Sequence, residues 1–121
     1  MAESGTDPIR IETSEIVPGV WELRLYGSLD WTNFAKAETA IDEIFRKGVY
    51  KIVVNLKGTK YISSAGFGCF ISSLDTAMRN NGDLIFASTP PEIQDVFNIL
   101  GLSKILHFAN DTQGALAQFK Q

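Results

Sequence analysis

Residues 61–68, YISSAGFG, place two adjacent hydroxyls and two glycines where an apolar run gives way to helical spacing. A serine at such a junction stands beside backbone N–H groups that have no partner within the helix, and beside the positive end of the helix dipole. Its hydroxyl has two available uses. It can cap the helix, or it can carry a phosphate whose charge those N–H groups stabilise. Ser63 and Ser64 are the candidates on these grounds, and the residue types alone leave both uses open.

No other part of the chain assembles a reactive group. The single histidine, His107, lies in the apolar run 105–108 (ILHF) and has neither a second histidine for a metal motif nor triad spacing. The single cysteine, Cys69, falls in a helical pattern, where it reads as a small buried hydrophobe, and has no partner for a disulfide. There is no Gly-x-Ser-x-Gly elbow and no phosphate-binding Gly-x-x-x-x-Gly-Lys loop, and Gly66 and Gly68 supply only part of a dinucleotide fingerprint. No catalytic residue, metal or cofactor is expected. A serine hydrolase would need His107 to reach Ser64 from a different strand.

The elements that position Ser64 follow from periodicity. Residues 9–13 (IRIET) and 20–26 (VWELRLY) alternate apolar and polar around a Val-Pro-Gly turn, which predicts an antiparallel hairpin. Asp30 or Thr32 is placed to cap a helix whose Phe34, Ala37, Ile41, Ile44 and Phe45 recur at helical spacing as far as Gly48. Residues 51–56 (KIVVNL) are apolar without alternation, as in a strand covered on both faces. Phe67, Phe70, Ile71, Leu74 and Met78 mark the inner face of a second helix ending near Asn81 and Gly82, and 84–87 (LIFA) reads as another strand.

Thr89 to Glu92 has the spacing of a capping box with proline in the first turn, followed by a stripe of Ile93, Val96, Phe97 and Leu100 and a stop at Gly101. A last strand over 105–108 and a short helix capped by Asp111, burying Leu116 and Phe119, complete the order ββαβαβαβα. This is an α/β fold: a mixed, mostly parallel sheet with helices packed on it. Loops after parallel strands gather at one edge of such a sheet, which brings Asp30 and Ser64 together.

The 121 residues suit one domain, read as a flexible tail over 1–8 and a folded unit over 9–121. A net charge of −3 lacks the clustered cations of a nucleic-acid binder, so a protein or small ligand is the expected partner. The first residues show no basic stretch with an apolar core, and no apolar run reaches the ~18 residues that span a bilayer, so the cytoplasm rather than a membrane is expected.

Residues 53–56 (VVNL) followed by 61–68 are similar to the signature of STAS domains, the family of anti-sigma-factor antagonists. Residues 27–30 (GSLD) resemble that family's Gly-x-Leu-Asp stretch, and 91–102 (PEIQDVFNILGL) resemble the segment before its last strand. The resemblance runs from about Ile9 to Phe119 with its motifs in order. It implies a STAS-like single domain whose phosphorylated residue is Ser64. It further implies that the unphosphorylated protein binds an anti-sigma factor, a serine kinase of ATPase-like fold, and so frees a sigma factor for transcription. The kinase then phosphorylates the antagonist, and a metal-dependent serine phosphatase restores it.

The partner-binding residues implied are Asp30, Trp31, Thr32 and Asn33 after the second strand, with Ser63, Ser64, Ala65, Gly66 and Phe67 at the second helix. Trp31 is either an exposed anchor or folded back beside Trp21. Ser63 and Asn55 stand where aspartate is common in the family, and Ser28 where glutamate is frequent, so this edge is less acidic than in many relatives. The same fold also admits a scaffold or ligand-sensing module that is never phosphorylated. A monomer or weak dimer is expected.

Overall fold

The computed structural model describes residues 9–120, and the expected tail over 1–8 lies outside them. Strand β1 (Arg10–Val17) turns at Gly19 into β2 (Val20–Leu29), the long strand around which the sheet is built. Helix α1 (Phe34–Arg46) leads to β3 (Lys51–Asn55) and the short β4 (Thr59–Ile62). Helix α2 (Ser64–Arg79), β5 (Asp83–Ala87), α3 (Pro91–Ile99), β6 (His107–Ala109) and α4 (Thr112–Phe119) follow.

β1 pairs antiparallel with β2, and the other pairings are parallel, in the order β1-β2-β3-β5-β6. β2 is long enough to serve two partners on one side. Its first half pairs with β3, and Gly27, Ser28 and Leu29 pair with β4. The mixed, mostly parallel α/β sheet expected from the pattern is present, with β4 as an additional strand. Four residues between a turn and a helix carry too little alternation to announce themselves; β4 forms because β2 outruns β3 and leaves backbone groups that need partners. The Thr59 hydroxyl strengthens the splice by donating to the Leu25 carbonyl at 2.8 Å.

The unbroken apolar runs of β3 and β5 are buried on both faces, as covered parallel strands should be. On one face Leu23, Leu25, Leu29, Ile52, Val54, Leu84 and Phe86 meet α1, α2 and α3. On the other, Val53, Ile85 and Ala87 meet α4 through Ala115. Phe70, Phe86 and Phe97 are fully buried, and burial of each such ring contributes about 1.5–3 kcal/mol.

Several local expectations are corrected. Residue 33, not Asp30 or Thr32, stands at the N-cap of α1, and the Thr89 capping box does not form: Pro90 is the N-cap of α3 and the Thr89 hydroxyl is buried without a partner among the described residues. Ile71, Met78, Val96 and Leu100, assigned to buried stripes, are exposed. One sheet face covers only a narrow arc of each helix, so the outer members of a broad apolar stripe stay in solvent. The last strand begins at His107 rather than 105, because a 3-10 turn over Leu102–Lys104 uses up the chain before it and leaves Ile105 exposed. Leu116 and Phe119 are half-buried against the α4 cluster.

Candidate functional site

The splice of β4 onto β2 sets the position of the serine pair. Leu29 pairs with Ile62, and the Ser63 N–H donates to the Leu29 carbonyl at 2.8 Å. Asp30 therefore follows Leu29 and Ser64 follows Ser63, the two residues this hydrogen bond joins. Gly66 allows α2 to start there. A Cβ on it would lie 2.8 Å from Ile62 Cγ2 and 2.9 Å from Leu29 Cδ2, so a larger residue would lift the first turn off the strand ends.

Ser63 is the extended N-cap residue and Ser64 the first residue of α2. Neither forms the capping bond that their residue type suggests. The Ser63 hydroxyl is buried and unpartnered among the described residues, while Ser64 faces solvent. The first-turn N–H groups are thus not taken up by a capping side chain, and they lie next to an accessible hydroxyl.

The loop over residues 30–33 is braced by its own side chains. Asp30 Oδ1 accepts from the Thr32 hydroxyl at 2.5 Å and from the Thr32 N–H at 2.9 Å; Asn33 Oδ1 accepts from the Asp30 N–H at 2.8 Å, and Asn33 Nδ2 donates to the Ser28 carbonyl at 2.9 Å. The Thr32 hydroxyl, then the Thr32 and Asn33 N–H groups, hold the Asp30 carboxyl below its usual range. This brace turns Trp31 outward, 76% exposed, while Trp21 packs half-buried against the core with Lys47 over its ring. Of the two placements open to Trp31, the outward one is observed.

The predicted site residues thus meet at one edge but differ in access. Trp31, Thr32 and Ser64 are exposed; Asp30, Asn33, Ser63 and Ala65 are half-buried. Gly66 and Phe67 are buried, with the Phe67 ring edge-on to Phe97 at 4.9 Å, so these two position the edge rather than present it. Tyr61, at the start of the expected 61–67 contact segment, is exposed on β4 opposite Ser28.

His107 opens β6 and pairs through Nδ1 with Asp83 Oδ2 at 2.5 Å, at the N-terminal ends of the parallel strands and so at the edge opposite Ser64. That separation removes the serine-hydrolase reading. Cys69 is buried on α2; burial first, then the charge of Glu38 and Asp42, push its thiol up to about 11.

Fold and edge together define a small α/β module with an exposed serine and an exposed indole on its rim. The particular family follows from comparison: the STAS domain model matches residues 13–115, and the chain belongs to that family. An anti-sigma-B factor antagonist of Staphylococcus aureus is 27% identical over 93 residues, 77% of this chain and 86% of that protein. Among solved structures, an anti-sigma factor antagonist from Mycobacterium paratuberculosis superposes with a TM-score of 0.86 at 18% identity, covering 98% of this chain and 99% of that one. The phosphorylated form of the Bacillus cell fate determinant SpoIIAA superposes with a TM-score of 0.71 at 19% identity, covering 91% and 99%. The Staphylococcus and Mycobacterium relatives are antagonists by name. No helix among the described residues is long and apolar enough to cross a membrane.

Proposed function

We propose that this chain is a cytoplasmic, phosphorylation-switched antagonist that binds an anti-sigma factor through the edge formed by residues 30–33 and 61–67. The single observation that carries the reading is the placement of Ser64: solvent-facing, first in α2, and beside N–H groups that no side chain caps. A kinase can reach that hydroxyl, and the helix terminus can hold the product phosphate without refolding. The partner is an anti-sigma factor of ATPase-like fold that is also the kinase, and a metal-dependent phosphatase reverses the modification. A relative of the same fold whose name records a phosphorylated form supports this reading.

The direction of the switch follows from charge. A phosphoserine adds about −1.5 to −2 charge at pH 7. In a contact built on a neutral hydroxyl that charge must shed its water, at a cost of several kcal/mol, and ~1.4 kcal/mol is already tenfold in affinity. The test is calorimetric titration of the purified chain, as Ser64→Ala and as Ser64→Asp, with the anti-sigma factor of the same cells. Ser64→Ala should bind as the unmodified chain does and Ser64→Asp at least about tenfold more weakly. Equal affinities would refute the switch. Incubation with the same partner and ATP should add phosphate at Ser64 by mass spectrometry; a chain that binds yet gains none would be a scaffold.

A further inference from the structure

Gly68 has no task inside the chain. Gly66 and Gly82 are required by close neighbours, and Gly19, Gly48 and Gly101 by left-handed backbone, but a Cβ on Gly68 would meet nothing within 4 Å and its φ is ordinary for a helix. Glycine within a helix destabilises it relative to alanine. A glycine that the fold does not need and that weakens its helix is explained by something outside the chain coming close to the backbone. Gly68 is exposed, one turn beyond Ser64.

The surface around it has the form of a helix seat. Ser64, Gly68, Ile71, Asp75 and Met78 are all exposed and follow one another at spacings of four and three, the repeat of a helix–helix seam. Ile71 and Met78 are apolar yet open to solvent, Met78 by 57%. The rim is acidic. Glu38 and Asp42 project from α1, both exposed and near enough to Cys69 to act on its thiol, and Asp75 lies on the seam itself, paired at its far end with Arg79 at 3.1 Å.

We propose that the outer face of α2 seats a helix of the partner, which crosses at Gly68, rests an apolar side chain over the glycine and Ile71, and turns lysine or arginine toward Glu38, Asp42 and Asp75. This rests on the reading of the partner as an anti-sigma factor and extends the contact from the sheet edge down the helix. The glycine sets how near the two backbones come, and the acidic rim selects a basic partner.

The experiment pairs affinity with stability. Gly68→Ala fills open space in a helix, so its Tm should rise by about 3 °C, while its affinity for the purified anti-sigma factor should fall about tenfold or more. Gly68→Leu should bind more weakly still. Asp42→Lys with Asp75→Lys should weaken binding and flatten its salt dependence. Opposed movement of Tm and affinity supports the seat. An unmodified chain that binds alongside a Gly68→Ala variant of equal affinity overturns it and leaves the functional reading standing, as does a Gly68→Ala variant that loses stability, which would show an internal role. An unmodified chain with no affinity for the anti-sigma factor overturns both.

Discussion

One buried carboxylate ties the first residue of α4 to the sheet, beside the apolar packing of Ala115, and Thr112→Val tests it. Glu22 on β2 is only 7% exposed; its Oε2 accepts from the Thr112 hydroxyl at 2.7 Å and from Asn55 Nδ2 at 3.2 Å, and its Oε1 from Arg24 Nη1 at 2.6 Å. Burial pushes the Glu22 carboxyl up, but the bonds from Thr112, Arg24 and Asn55, with the Arg24 charge, outweigh it and leave the group below its ordinary value. Valine keeps the shape of threonine and deletes the donor. A hydrogen bond to a charged group contributes about 1.5–3 kcal/mol, which for a domain of this size is a fall in Tm of ~6–12 °C.

Urea unfolding at pH 7 should show that loss with an unchanged m-value. The pH dependence gives a second readout. Because the folded pKa of Glu22 lies below its unfolded value, its contribution is complete above the unfolded carboxyl range and is lost as pH falls through the folded pKa. The gap between parent and Thr112→Val should therefore be full at neutral pH and close in acid, below the ordinary carboxyl value of 4.5. A loss under about 0.5 kcal/mol, or a gap of equal size at neutral and strongly acidic pH, would refute the assignment.

Trp31→Ala should weaken binding to the anti-sigma factor about tenfold while Tm moves by less than ~2 °C, since the indole makes an exposed rim and not a core; a large Tm loss would place it otherwise. Gly82→Ala should cost about 3 kcal/mol or more in chemical denaturation, because its Cβ would come against the Tyr50 carbonyl oxygen, which already accepts from the Asp83 N–H at 3.0 Å where β5 begins. A loss below ~1 kcal/mol would mean that the β3 and β5 ends separate easily.

The layer order, the hairpin and the serine-bearing helix start were legible because each rests on local periodicity or on residue types with a fixed backbone role. Gly48 and Gly101 stop their helices in left-handed backbone, as their positions suggested. The Thr89 capping box was misjudged, and the Ser63 side chain forms no cap bond at its N-cap position, for one shared reason: a hydroxyl before a helix can turn to the N–H groups or into the packing behind it, and its neighbours decide. Strand β4 escaped notice because its existence depends on β2 running past β3, a relation between segments more than thirty residues apart in sequence.

The sequence by itself determined the α/β class, the covered character of β3 and β5, and the arrival of Asp30 and Ser64 at one edge, since alternation, apolar runs and connection rules act on neighbouring residues. Only the tertiary structure decided which apolar residues reach solvent. Ile71, Met78 and Leu100 carry the same hydrophobicity as their buried neighbours, and what separates them is how wide an arc of each helix the sheet can cover. The structure likewise decided that Trp31 turns outward, through the brace of residues 30–33, and distinguished Gly66, which the fold requires, from Gly68, which it does not.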